Sequence, residues 1–95
     1  MQVILNKKAL EDLRKLFTTI YDDKPGVAHE YTKKIESYIL LLESNPRMGK
    51  ECQYKNLQKK CRVIYYDNYQ IIYRIVNEEL IRVLRILNTK QNYKG

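Results

Sequence analysis

The sequence predicts an α+β domain: an N-terminal strand and a two-helix antiparallel hairpin packed on a C-terminal antiparallel β-sheet. Three observations predict it. Apolar residues in the first half recur at steps of three and four, the period of one helix face. From Arg62 onward the chain is rich in Ile, Val and Tyr and breaks at short turn signals, as strands do. Helices followed by a meander of strands place the helices on one face of one sheet. With 95 residues, 44% apolar, two prolines and three glycines, the whole of 1–95 is expected to form a single domain.

Val3, Ile4 and Leu5 form a short apolar run, so a strand is expected from Gln2 to Asn6. Asn6 can then cap a helix. Leu10, Leu13, Leu16, Phe17, Ile20 and Tyr21 make its apolar stripe, and Lys7, Lys8, Glu11, Asp12, Arg14 and Lys15 take the rest. That is an amphipathic helix over about 7–22. Asp22-Asp23-Lys24-Pro25-Gly26 breaks it, and proline suits the start of a second helix whose positive end favours the aspartates. Val27, Tyr31, Ile35, Tyr38, Ile39 and Leu42 form the second stripe, and Ser44-Asn45-Pro46 ends it.

Strands are expected over Arg62–Tyr66, Tyr69–Val76 and Leu80–Leu87, with turns at Asp67-Asn68 and Asn77-Glu78-Glu79. On the middle strand Tyr69, Ile71, Tyr73 and Ile75 share a face. On the last, Leu80, Arg82, Leu84 and Ile86 alternate with Ile81, Val83, Arg85 and Leu87. Neither face is cleanly polar. One should pack on the hairpin and the other present a mixed basic and aromatic surface. Residues 47–60 read as a loop with a short strand around Cys52 to Lys55, and Asn88 to Gly95 as a loosely held polar tail.

Charge divides the chain. Up to Asn45 it holds seven basic and seven acidic residues; from Pro46 onward it holds eleven basic and four acidic. The whole excess of +7 therefore lies in the sheet half, which favours a polyanionic or acidic partner. No apolar run approaches the roughly 20 residues that cross a bilayer, and the N-terminus lacks the pattern of a secretory signal. No membrane association is expected, and the cytoplasm is the expected location.

Conventional hydrolase chemistry finds little support. His29, the single histidine, falls among polar neighbours on a helix and is expected to be solvent-exposed. Cys52 and Cys61 lack the spacing of a disulfide framework or a zinc site and are expected to be reduced thiols. There is no glycine-rich phosphate loop and no nucleophile elbow, so no metal and no cofactor is expected. What remains is Lys55, Lys59, Lys60, Arg62, Arg74, Arg82, Arg85, Lys90 and Tyr93, a set able to grip phosphates. Tyr65, Tyr66, Tyr69 and Tyr73 could stack on bases, although packing is the expected role for most of them. Arg62 and Arg85 interrupt apolar strands, where a charge is costly unless its face is wet. They are therefore expected to mark the outer face of the sheet.

The stretch Cys61 to Val76, continued by Ile81 to Asn88, resembles the RelE/ParE superfamily of toxins: an arginine opens one strand, a Tyr-x-Ile-x-Tyr-Arg-like strand follows, and Val83-Leu84-Arg85-Ile86-Leu87 closes. Pro46-Arg47-Met48-Gly49 resembles the Pro-x-x-Gly that follows the second helix in that superfamily. The resemblance implies the toxin of a type II toxin–antitoxin module, neutralised by a cognate antitoxin whose acidic, partly disordered segment folds as it wraps the toxin. Leu13, Phe17, Tyr31 and Tyr38 are the expected antitoxin contacts.

Two activities are found in the superfamily. RelE-like members cut mRNA on the ribosome with basic residues; here that set would be Lys59, Lys60, Arg62, Arg85, Lys90 and Tyr93. ParE-like members inhibit DNA gyrase; here Arg62, Arg74, Arg85 and Lys90 would contact the target. Ile64 stands where RelE-like nucleases carry lysine, Gln70 where they carry arginine, and Asn88 where a histidine is usual. These departures favour the ParE-like reading, with the ribosome-dependent endoribonuclease as the alternative.

Overall fold

A computed structural model describes residues 1–52 and 60–90. Strand β1 (Gln2–Leu5) leads into helix α1 (Lys7–Asp23), and helix α2 (Pro25–Leu40) runs on into a single 3-10 turn, Leu41–Glu43. Four further strands follow: β2 (Lys50–Cys52), β3 (Cys61–Tyr66), β4 (Tyr69–Ile75) and β5 (Leu80–Asn88). They form one sheet in the order β1-β5-β4-β3-β2. The expected α+β architecture is present, with one change. The sheet is mixed, because β1 lies parallel to β5, from Gln2↔Leu80 to Leu5↔Val83. The helical hairpin provides the long crossover that a parallel neighbour requires. The short strand expected around Cys52 to Lys55 lies at Lys50–Cys52 in its described part; Lys55 is outside the described residues.

Local chemistry sets the helix ends. The Asn6 side chain accepts the Ala9 N–H at 2.8 Å, satisfying one of the unpaired donors of the first turn. Pro25 opens α2, where its missing N–H costs nothing. Most of the expected stripes face the core: Leu13, Leu16 and Ile20 in α1, and Tyr31, Ile35, Tyr38, Ile39 and Leu42 in α2 and its 3-10 turn. In α1 the buried positions are Ala9, Asp12 and Leu16, while Leu10 and Tyr21 are exposed. In α2 they are Ala28, Ile35 and Ile39, while Val27 is exposed. Small Ala9 and Ala28 occupy the tightest places, where a larger side chain would hold the helices off their neighbours.

The main core joins Leu16, Ile35, Ile39 and Leu42 to Ile64, Ile71, Tyr73, Ile81, Val83 and Ile86. A smaller cluster of Cys61, Val63, Ile72 and Leu87 belongs to the other face of the sheet. Arg62 pairs with Tyr73 across β3 and β4. Directly opposed residues share a face, so Arg62 points to the helix side and not to the outer face.

Tyr73 explains the Pro-x-x-Gly segment. Its ring is fully buried, and its hydroxyl donates to the Pro46 carbonyl at 2.7 Å while accepting the Gly49 N–H at 3.0 Å. A Cβ at position 49 would lie 2.7 Å from that hydroxyl oxygen and 2.8 Å from the Val63 carbonyl. Glycine is required there by space. Tyr73→Phe should strand the buried Gly49 N–H and the part-buried Pro46 carbonyl and cost about 1–3 kcal/mol. Thermal unfolding should show a drop in Tm of at least about 5 °C, and Gly49→Ala should fall further. An unchanged Tm in both would remove this loop from the determinants of the fold.

Candidate functional site

The cations of the sheet half divide into two groups. Arg85 belongs to the first. Strand β1 covers the edge of β5 only as far as Val83, whose carbonyl takes the Asn6 N–H. Just beyond, the β4–β5 register shifts: Tyr73 faces Val83 and Ile72 faces Arg85, leaving Leu84 unmatched. The extra residue breaks the strict alternation expected for this strand, so Ile81, Val83 and Ile86 all join the main core. Asp12 of α1 meets the uncovered edge. Its carboxylate accepts the Ile86 N–H at 3.0 Å, Arg85 Nε at 2.7 Å and Arg85 Nη2 at 3.0 Å. Asp12 is 8% exposed and the Arg85 side chain 26%. Arg85 lies opposite Ile72 of the outer-face cluster, as expected, but its guanidinium is taken up by a buried carboxylate.

Arg62 is committed in a similar way. Its guanidinium donates to the Gly49 carbonyl at 2.6 Å and the Arg47 carbonyl at 3.4 Å, and reaches Glu51 Oε1 at 3.4 Å. It fastens the loop that Tyr73 holds from below. The pair with exposed Glu51 adds little, whereas the carbonyl contacts fix the side chain.

Arg74 and Arg82 form the second group. They are directly opposed on β4 and β5, with Ile4 of β1 beyond Arg82. Their neighbours Tyr73, Ile75, Ile81 and Val83 point to the helices, so both arginines point outward. No ion pair among the described residues involves either one. Opposed like charges weaken a sheet locally. Lys60 and Lys90 are exposed. Lys59 and Tyr93 lie outside the described residues.

The tyrosines take different places. Tyr65 is 56% exposed. Tyr66 and Tyr69 stack edge-on against Tyr31 at 6.0 and 6.2 Å, and Tyr38 meets Tyr66 at 5.2 Å. The Tyr31 hydroxyl donates to Asp67 at 3.0 Å, in the turn where Asp67 takes a left-handed φ of 55°, a conformation aspartate tolerates better than most residues. Tyr31 therefore ties α2 to the β3–β4 turn. Leu13 and Phe17 are half-buried; Leu13 packs on the core, and Phe17 contacts exposed His29 at 5.0 Å across the helical hairpin. Along α2 an open groove of about 710 Å³ is lined by Lys33, Lys34, Tyr38, Leu41 and Tyr66. Of the four expected antitoxin contacts, this groove includes Tyr38.

A helical hairpin on one face of a mixed sheet, with basic residues along the strands, is the build of a small α+β toxin of the RelE/ParE type. The chain belongs to a family described as the ParE toxin of the type II toxin–antitoxin system parDE, whose model matches residues 3–93. Its fold is similar to that of a solved chain from the chromosomal ParDE toxin–antitoxin system of P. aeruginosa. The TM-score is 0.77 at 18% identity, over 93% of this chain and 95% of that one. A search of curated proteins finds no match. No described helix is long and apolar enough to cross a membrane.

Two outcomes follow from this geometry. Removing one partner of a buried pair leaves the other uncompensated, at a cost of about 3–5 kcal/mol. Asp12→Ala should therefore unfold at least roughly 10 °C below the parent chain. Arg85→Ala should also lower Tm, because it leaves the Asp12 carboxylate, 8% exposed, without its balancing charge. Equal melting temperatures for all three proteins would contradict the role given to Asp12. The second outcome concerns alkaline pH. Burial raises the Tyr31, Tyr69 and Tyr73 phenols above their ordinary value; the Asp67 carboxylate adds to this at Tyr31 and Tyr69, and the Gly49 N–H opposes it at Tyr73. In the unfolded chain these groups ionise near pH 10. Above that pH the unfolded state binds fewer protons than the native one, so stability should fall as pH rises past about 10. Denaturant unfolding between about pH 8 and 11 should show a flat region followed by this decline.

Proposed function

We propose that this type II toxin arrests growth by ParE-like inhibition of DNA gyrase in the cytoplasm and is neutralised by a cognate antitoxin. The observation that carries the reading is membership of the ParE toxin family. The division of the cations supports it. A RelE-like active site would need Arg62 and Arg85 facing the scissile phosphate, and both spend their donors on the protein itself. Arg74, Arg82 and Lys90 remain to meet a target, and a desolvated anionic partner would relieve the repulsion between the two opposed arginines.

For the antitoxin, the groove along α2 offers apolar Tyr38, Leu41 and Tyr66 beside Lys33 and Lys34. That combination suits an acidic segment that lays apolar side chains into a groove. Tyr31, Phe17 and Leu13 act behind this surface by holding α1, α2 and the β3–β4 turn together.

The test is to add the purified protein to DNA gyrase and supercoiled plasmid. Linear DNA from trapped double-strand cleavage is expected to accumulate with toxin concentration. No linear DNA, with the gyrase shown to supercoil normally, would contradict the proposal. Mapped cleavage of ribosome-bound mRNA under the same conditions would put the endoribonuclease reading in its place.

A further inference from the structure

Cys52 and Cys61 form the last register pair between β2 and β3. We propose that they are a reversible disulfide site, oxidised by low-molecular-weight disulfides of the glutathione class. The geometry carries the inference. Directly opposed residues on antiparallel strands have Cα atoms about 4.5–5.5 Å apart, inside the roughly 4.4–6.8 Å span of a disulfide. The two side chains leave the sheet on the same face and join the same small cluster. Their sulfurs are 2.7 Å apart, and Cys61 Sγ also lies 3.0 Å from the Cys52 carbonyl. No backbone movement is needed to bridge them. Among the described residues no group of three His, Cys, Asp or Glu is placed to hold a metal ion.

Exposure assigns the two roles. Cys61 is 1% exposed, whereas Cys52 is half-exposed on the edge strand. The Cys52 thiolate attacks a sulfur of oxidised glutathione, releasing one reduced glutathione and leaving a mixed disulfide. The Cys61 thiolate then attacks Cys52 Sγ and expels the second glutathione as its thiolate. The two protein thiols lose two electrons and two protons, and one glutathione disulfide becomes two thiols. A reducing cytosol reverses the step.

The bond would act where β2 is weakest. Among the described residues that strand has three residues and a single neighbour, and it carries Glu51, the partner of Arg62. The closed ring would contain Lys55, Lys59 and Lys60.

The experiment exposes the purified full chain to graded ratios of reduced and oxidised glutathione, quenches with acid and reads intact mass. The expected product is a monomer lighter by two hydrogens, without a glutathione adduct, unreactive to maleimide after denaturation and restored by dithiothreitol. Its Tm should exceed that of the thiol form by roughly 10 °C. Cys61→Ser should instead accumulate the glutathione adduct on Cys52. A parent chain that keeps both thiols, retains the adduct or forms only disulfide-linked dimers would overturn the proposal. The mass of the parent chain decides this even if Cys61→Ser fails to fold.

Discussion

Asp12 sits where the sheet loses its edge strand. Strand β1 ends opposite Val83, the bulge displaces Leu84, and the next backbone donor, on Ile86, has only the first turns of α1 in front of it. A buried unpaired N–H is expensive, and so is a buried carboxylate. Each solves the other's problem, and Arg85 supplies the balancing charge with two parallel hydrogen bonds. The helical hairpin is thereby fixed to β5, which has β1 on one side and β4 on the other. The packing of Leu16, Ile35 and Ile39 on the sheet depends on that registration.

The same economy appears at the other end of the sheet. There the loop after α2 is held by Tyr73 through its hydroxyl and by Arg62 through the Gly49 carbonyl. Two strand arginines are therefore spent on making the scaffold rigid. Two others, Arg74 and Arg82, stand side by side on the open face without an acidic partner among the described residues. Arg74 lies on β4 and Arg82 on β5, strands flanked on both sides within the sheet.

Much of the fold was legible in the sequence because long periodic segments dominate it. The cap at Asn6, the proline at the start of α2 and the turn at Asp67-Asn68 each follow from local chemistry. The parallel pairing of β1 was not legible, since nothing local distinguishes a strand that closes a sheet from one that merely precedes a helix. Its charge assigns Asp12 to the polar side of α1, yet its spacing from Ala9 and Leu16 places it on the buried stripe. The bulge at Leu84 left no mark either, and without it the alternation of β5 assigns Arg85 to the wrong environment. The face of Arg62 is likewise set by its pairing with Tyr73, which only the register reveals. The Pro46 to Gly49 resemblance pointed to the right segment, but its physical cause is a tyrosine 24 residues away.

The proposed division of the strand arginines into scaffold and contact residues can be checked by measuring growth arrest and melting temperature together for Arg62→Ala, Arg74→Ala, Arg82→Ala and Arg85→Ala. The account predicts that Arg62→Ala and Arg85→Ala lower Tm, and that any loss of arrest follows the loss of folded protein. Arg74→Ala and Arg82→Ala should keep the parent Tm and weaken arrest. Arg85→Ala with the parent Tm and no growth arrest, beside fully toxic Arg74→Ala and Arg82→Ala, would contradict it.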